Sequence, residues 1–351
     1  MSISKYVRRQ SSLNLELPYD SPYLKGGIYM QYNNLPGTSI KVASLSLGTM
    51  MFGAQTSEAD SLAIMDYACG QGINFWDTAN VYNQGESERI VGKALKGRRD
   101  KIILATKVNG QMGENPNDRG LSRRNIVSAV EASLNRLNTD YVDLYYMHAP
   151  DYETKIEETL ETMSGLVKAG KVRYIGVSNF AAWQIADMMA ICDKRGYIAP
   201  VITQNVYNLI TRGVETELIP FLQAHELGMA VYNPIAGGLL AGKHKPGTPA
   251  ENTRFSNSEA YYKRYWSEEN FAAIEKLTEI ASENGMGILE LSMKWCASRA
   301  KVTSVISGVS KLSQLEQNIA ALEGAALHDD VLQACDAVWH SLAGTRFGYN
   351  R

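Results

Sequence analysis

The stretch Asn74-Phe75-Trp76-Asp77-Thr78-Ala79-Asn80-Val81-Tyr82 reads as a short buried strand that stops at Asp77, followed by a turn that carries Tyr82. A carboxylate at a strand end and a phenol just past it do little for stability alone, which points to partners. Lys107 closes Ile102-Ile103-Leu104-Ala105-Thr106-Lys107, and His148 closes Val142-Asp143-Leu144-Tyr145-Tyr146-Met147-His148. Successive strands thus end in ionisable residues.

Outward from these strands the chain repeats a strand and helix unit, as βα architecture requires. Upstream, alternation from Gln31 to Val42 around Pro36-Gly37 predicts a hairpin leading into the first strand, Ala43 to Thr49. Ser57 with Asp60 predicts a capped helix with Leu62, Met65 and Cys69 on one face. Ser122 opens a helix whose Ile126, Val130, Leu134 and Leu137 share a face, and Thr154 with Glu157 resembles a capping box. Further strands are predicted at Val172 to Val177, Val201 to Asn205, Met229 to Tyr232 and Val302 to Ser307. A helix is expected over about Val214 to His225, a long loop over Asn233 to Trp266, and a last helix from Asp329.

Near-continuous apolar strands alternating with amphipathic helices argue for parallel strands covered by helices. Eight such units fit a closed (β/α)8 TIM barrel, with an N-terminal hairpin, a long seventh βα loop and a C-terminal helix. No G-x-G-x-x-G follows the first strand, which speaks against an open dinucleotide-binding sheet. In a barrel all strand ends point to one face, so Asp77, Lys107, His148, Ser178, Gln204 and Tyr232 would converge. Residues 30–351 are read as one such domain, and the polar, aperiodic residues 1–29 as an extension that need not be native.

The chain has 351 residues with 45% hydrophobic content, enough for a large core. A formal net charge of -2 and dispersed basic residues speak against a nucleic-acid partner. No apolar run reaches the ~20 residues of a membrane span, and the N-terminus lacks a signal-peptide core. Cys69, Cys192, Cys296 and Cys335 are far apart and read as reduced thiols. A soluble cytoplasmic protein, monomeric or homo-oligomeric, with a small-molecule partner is the expectation.

Chemistry follows from the strand ends. A phenol has an ordinary pKa of about 10, and a neighbouring Lys107 ammonium would favour the phenolate while Asp77 holds the lysine. His148 can donate a hydrogen bond to a carbonyl oxygen. Together they form a proton donor beside a polarised carbonyl, suited to reduction when a hydride source is present. No histidine, cysteine and carboxylate cluster has metal-ligand spacing. Taken singly, Asp77 would be a cap, Lys107 a solvated strand-end lysine, His148 a structural histidine and Tyr82 a rim aromatic. Their joint placement argues for the chemical reading. The aromatic group Tyr261, Tyr262, Tyr265 and Trp266 reads as core or loop packing.

The sequence resembles the aldo-keto reductase superfamily. The resemblance rests on Gly48-Thr49-Met50, Phe75 to Ala79 with Tyr82, Lys107, Asp143 to His148, Gly170 to Phe180, Gln204-Asn205, and Tyr232-Asn233-Pro234 through Lys243. It implies NADPH-dependent carbonyl reduction, reversible as alcohol oxidation. By motif position Tyr82 is the implied general acid/base, Lys107 and Asp77 set its pKa, and His148 orients the carbonyl. Ser178, Asn179 and Gln204 would hold the nicotinamide carboxamide, and Tyr232 would stack on its ring. Gly48, Thr49 and Met50 would lie beside the nucleotide. The pyrophosphate would be covered by Asn233, Pro234, Ile235, Gly237, Leu239, Gly242 and Lys243. Gly308, Ser310, Lys311, Gln314, Gln317 and Asn318 match the adenosine and 2'-phosphate site. Many members carry arginine where this chain has Gln314, so Ser310, Lys311 or Arg254 would have to compensate, and NADH is an open alternative.

Two other functions remain open on the sequence: a cofactor-sensing, channel-associated regulatory subunit of this fold, and a Schiff-base aldolase using Lys107. Substrate-pocket candidates are Met50, Met51, Trp76, Asn109, Ala149, Pro150 and Asp151, closed by the long loop and the segment Arg346 to Arg351. Asn109 and Asp151 point toward polyhydroxylated substrates.

Overall fold

The computed structural model describes residues 30–251 and 253–344. The extension at 1–29 and the tail Arg346 to Arg351 lie outside the described residues. Strands β1 (Tyr32–Asn34) and β2 (Lys41–Ala43) form the expected antiparallel hairpin. The barrel strands are β3 (Leu45–Gly48), β4 (Phe75–Asp77), β5 (Ile103–Val108), β6 (Val142–Met147), β7 (Val172–Ser178), β8 (Ile202–Val206), β9 (Gly228–Tyr232) and β10 (Val302–Gly308). They are parallel and run in sequence order round a closed barrel, with β10 paired back onto β3.

Strand periodicity sorts the side chains into two cores. Trp76, Leu104, Val108 and Tyr145 face out toward the helices, in a cluster that includes Ile126, Leu160 and Leu291. Phe75, Ala105, Leu144, Tyr146, Ile202, Ala230 and Ile306 face into the barrel. Leu35 and Val42 of the hairpin belong to the inner cluster, so the hairpin plugs the floor. Burying each of these two side chains is worth about 2 kcal/mol.

Several helix expectations need correction. The helix Glu58–Gly70 is capped by Ser57 as expected, but its buried face is Ser61, Ile64, Met65 and Ala68. Leu62 and Cys69 sit half-buried at the margin. Lys155 occupies the N-cap of Ile156–Lys168 with no side-chain bond. Thr154 instead donates to Asp151 Oδ2 at 2.7 Å. The predicted helix from Val214 splits into a 3-10 turn, Gly213–Glu215, and a helix, Leu218–Ala224. Pro220 offers no backbone N–H to a preceding turn and is tolerated only near a helix start. Arg212 also draws Glu215 back into an ion pair at 2.9 Å.

The helix Arg123–Leu137 matches its predicted cap and face: Ser122 Oγ accepts from Asn125 N, and Ile126, Val130, Leu134 and Leu137 are buried. The described part of the long loop carries a 3-10 segment, Ala236–Ala241, and helices Arg254–Asn257 and Glu259–Tyr265. Helix Asp329–Ala343 ends the described chain. No helix among the described residues is long and apolar enough to cross a membrane. The four cysteines are free thiols.

Candidate active site

Inward parity carries the ionisable side chains to one mouth. Asp77 follows inward Phe75, Lys107 follows inward Ala105, and His148 follows inward Leu144 and Tyr146, each at the strand period of two. Lys107, at 0% exposure, donates to Asp77 Oδ2 at 2.5 Å, to the Thr78 carbonyl at 2.8 Å and to the Tyr82 hydroxyl at 3.3 Å. The rings of Tyr82 and His148 meet edge to face with centroids 5.9 Å apart. The structure therefore brings the four predicted catalytic residues together.

The turn bearing Tyr82 is held at both ends. Asn83 (φ 49°) and Gln84 (φ 54°) adopt left-handed backbone, a conformation that must be enforced by its surroundings. Asn83 Nδ2 donates to the Met50 and Phe52 carbonyls at 3.0 and 2.7 Å. On the far side Ser87 Oγ lies 2.8 Å from Thr49 Oγ1 and 2.9 Å from Thr78 Oγ1. Behind it, buried Glu88 accepts from Thr106 at 2.5 Å and from Arg136 at 2.7 Å, tying the next helix to β5. Sequence reasoning missed this support, because nothing in the spacing of Asn83, Ser87 and Glu88 distinguishes it from an ordinary helix start.

Burial decides the electrostatics. It raises the Tyr82 pKa above its ordinary value, with Asp77 adding to the rise, and the nearby Lys107 ammonium offsets only part. Lys107 pulls toward the phenolate, as expected, while burial keeps the phenol protonated. Burial presses the Lys107 pKa down, yet Asp77 and Tyr82 together hold it above its ordinary value. A charged, fully buried amine is a poor imine former, which weighs against the aldolase alternative. Burial, then Lys107, lower the His148 pKa to about 3, so its imidazole is neutral near pH 7.

Gln204 Nε2 donates to Asp77 Oδ1 at 2.8 Å, joining a predicted cofactor residue to the buried ion pair. Tyr232 donates to Asn179 Oδ1 at 2.7 Å, and Asn179 Nδ2 donates to the His148 carbonyl and to Ser178 Oγ, each at 3.0 Å. Asn179 itself has left-handed backbone (φ 64°). These side chains are prearranged by bonds to one another.

A cavity of about 650 Å³ runs from Tyr82 and His148 to the start of helix Leu312–Ala320. Of the predicted cofactor residues, it is lined by Gly48, Thr49, Met50, Asp77, Ser178, Asn179, Gln204, Tyr232, Asn233, Pro234, Ile235, Gly237, Lys243, Arg254, Gly308, Ser310, Gln314, Gln317 and Asn318. Three predicted contacts fall outside. Leu239 is buried in the core, exposed Gly242 closes the 3-10 segment, and Lys311 is an exposed helix cap. Among the substrate candidates, Met50 and Met51 line the cavity, whereas Trp76 is fully buried against the helices and Asn109, Ala149, Pro150 and Asp151 are not in its walls. Asn109 donates to the Ala149 carbonyl at 2.6 Å, and the Asp151 carboxylate accepts from Leu121 N, Glu153 N and Thr154 Oγ1. Both are loop staples.

The cavity fits an elongated anionic nucleotide. Lys243, Arg254 and Arg264 line it, while Asp77 is the one carboxylate among its described lining residues and is already paired. A Cβ on Gly308 would meet no protein atom within 4 Å, so that wall leaves open space for a ligand. Gly237 (φ 70°) approaches Tyr261 so closely that a Cβ would stand 2.9 Å from its ring. Tyr261, first read as packing, lines the cavity, bonds to Asn233 Oδ1 at 3.1 Å and accepts from Arg254 Nη1 at 3.1 Å. Tyr265 is core, and Trp266 stacks with Tyr262 and packs against Phe255 and His244. No spacing rule separates Tyr261 from Tyr262 and Tyr265, which share its helix; its contacts with Asn233 and Arg254 do.

No group of His, Cys, Asp or Glu among the described residues could hold a metal ion. A closed eight-stranded barrel with ionisable groups and a cation-lined groove at its strand ends defines a (β/α)8-barrel protein built to take a small ligand there. The model of the Aldo/keto reductase family matches residues 44–340, and the chain belongs to that family, whose name describes oxidoreduction of carbonyl groups. It is 37% identical over 321 residues to aflatoxin B1 aldehyde reductase member 2 of Homo sapiens, covering 86% of this chain and 88% of the relative. A probable voltage-gated potassium channel subunit beta of Arabidopsis thaliana is 36% identical over 301 residues, 84% of this chain and 92% of the relative. Protein tas of Escherichia coli (strain K12) is 35% identical over 342 residues, with shares of 88% and 97%.

Proposed function

We propose that this chain is an NADP(H)-dependent reductase of aldehydes and ketones that also oxidises the corresponding alcohols, with Tyr82 as proton donor. The observation that carries the reading is the Lys107 ammonium 2.5 Å from Asp77 and 3.3 Å from the Tyr82 hydroxyl, at the mouth of a nucleotide-sized cavity. When bound, the reduced nicotinamide supplies a hydride to the carbonyl carbon. Neutral His148 donates an imidazole N–H to the carbonyl oxygen and fixes its direction. Tyr82 gives its proton to that oxygen as negative charge develops there, and Lys107 stabilises the phenolate left behind. Solvent returns the proton to Tyr82, closing the balance.

Ser178, Asn179 and Gln204 are the proposed carboxamide holders, and Tyr232 the ring support. Lys243 and Arg254 are assigned to the phosphates, and Gly308 to Asn318 to the adenosine end. NADPH is the nucleotide proposed, with NADH as the competitor, because Gln314 stands where an arginine would read the 2'-phosphate. Four free thiols support a reducing, cytoplasmic location.

The test is nucleotide oxidation by the purified chain over a panel of aldehydes and ketones, with alcohols assayed in reverse. The potassium-channel relative supports a second reading, a nucleotide-sensing regulatory subunit. NADPH binding without reduction of any carbonyl would favour that reading over the first.

A further inference from the structure

A buried ion pair lies behind the reactive group, outside the cavity. Glu88, fully buried on helix Glu86–Ala94, accepts from Arg136 Nε at 2.7 Å and from the Thr106 hydroxyl at 2.5 Å. Glu88, Arg136 and Thr106 are not among the lining residues of the cavity of about 650 Å³. We propose that Glu88, held by Arg136, is a positioning residue: it sets the separation of the Tyr82 hydroxyl from the Lys107 ammonium and so the rate of proton transfer from Tyr82. This deepens the reductase reading above and rests on it.

The Glu88–Thr106 bond joins the two elements that carry the reacting pair. Thr106 immediately precedes Lys107 on β5, and strand parity sends its side chain out to the helix while Lys107 points in. Glu88 sits in the first turn of the helix that continues directly from the turn bearing Tyr82. The bond therefore fixes how far that helix can slide along the strand, and the phenol moves with the helix. Asn83 and Ser87 tie the same turn to the segments after β3 and β4, whereas Glu88 ties it to the strand of Lys107.

Arg136 clamps the helix from its other side. At Gly85 (φ 85°) a Cβ would stand 2.6 Å from Arg136 Cδ, and at Gly92 one would stand 2.6 Å from the Arg136 carbonyl oxygen. These two glycines let the end of helix Arg123–Leu137 rest directly on helix Glu86–Ala94. Ser133 Oγ accepts from Arg136 Nη2 at 3.3 Å and helps to orient the guanidinium. Stability alone does not account for the pair, since packed apolar residues can replace a buried ion pair without loss. What they cannot supply is direction: a carboxylate bonded through both oxygens fixes one register.

The experiment measures single-turnover reduction, at saturating NADPH, of an aldehyde that the wild-type chain reduces, in light and in heavy water. The variants are Thr106→Val, Thr106→Ser and the double variant Glu88→Met with Arg136→Met, which strands no charge; NADPH affinity is followed by fluorescence. Thr106→Val and the double variant should slow reduction about ten- to a hundredfold, the scale of a misplacement of about 1 Å. Their solvent isotope effect should rise, because proton transfer from Tyr82 becomes the slow event. NADPH affinity should be nearly unchanged, and Thr106→Ser, which keeps the donor, should run close to the wild-type rate. A wild-type rate in Thr106→Val and the double variant would overturn the inference, as would Thr106→Ser no faster than Thr106→Val. So would a slower rate with an unmoved isotope effect, which a smaller active fraction would give. Loss of NADPH affinity in step with the rate, or failure of both Thr106→Val and the double variant to fold, would make the network structural and overturn it too. A wild-type chain that binds NADPH and reduces no aldehyde would instead remove the reductase reading and the inference with it.

Discussion

The ammonium of Lys107 and the hydroxyl of Tyr82 stand 3.3 Å apart although they belong to different strand-helix units, and burial around the pair outweighs their attraction. The phenol is thereby kept as an acid next to the charge that would stabilise its conjugate base. Such an arrangement favours proton release only when a proton acceptor arrives, which is what reduction of a carbonyl requires.

Tyr82→Phe removes that proton and little else. Carbonyl reduction should fall by about 10² to 10⁴-fold in kcat, the range for loss of a positioned acid. Fluorescence titration should show NADPH affinity nearly intact. Full activity in the variant would exclude Tyr82 as donor.

The pH profile of reduction should be flat from about pH 5 to 9. Tyr82 is held above its ordinary value of 10.0, so it stays protonated across this range, and His148, at about 3, stays neutral. A limb near pH 6.5 would contradict the neutral imidazole. Folding stability should respond to the same shift. The unfolded chain binds a proton at His148 near 6.5 while the folded chain does not, so stability is full above 6.5 and is lost as pH falls toward 3.

Asp77→Asn leaves a fully buried ammonium without its counter-charge. Urea unfolding should show a loss of about 3 to 5 kcal/mol, the cost of stranding one partner of a buried pair. The double variant Asp77→Asn with Lys107→Met should recover part of that loss while remaining inactive. If the double variant is no more stable than the single one, the pair is not the source of the cost.

Gln314 accepts from Ser310 N at 2.8 Å and from Lys311 N at 3.3 Å, so a neutral amide oxygen occupies donors that an anion would otherwise use. Gln314→Arg frees those donors and adds a bidentate cation. The ratio of kcat/KM for NADPH over NADH should rise about tenfold or more. An unchanged ratio would place the 2'-phosphate elsewhere.

The barrel and its reactive strand ends were legible because strand parity is a local property. Phe75 and Asp77, or Ala105 and Lys107, must share a face whatever surrounds them, and an apolar inner residue implies an inner partner two positions on. Contacts that depend on distant segments were not legible. Asp151 looks like a pocket carboxylate in sequence, yet its oxygens close a loop onto Leu121, far along the chain. Tyr261 resembles its aromatic neighbours until the helix Glu259–Tyr265 turns its hydroxyl toward Asn233 and Arg254. Pro220 was a visible warning against the long helix from Val214, since a proline sits easily only in a helix's first turn.

The hairpin plug at Leu35 and Val42 has a consequence for the order of events. A vessel with a sealed base fills and empties through its rim. On the proposed reading, nucleotide and carbonyl compound would both have to enter and leave past Tyr82 and His148 at that rim.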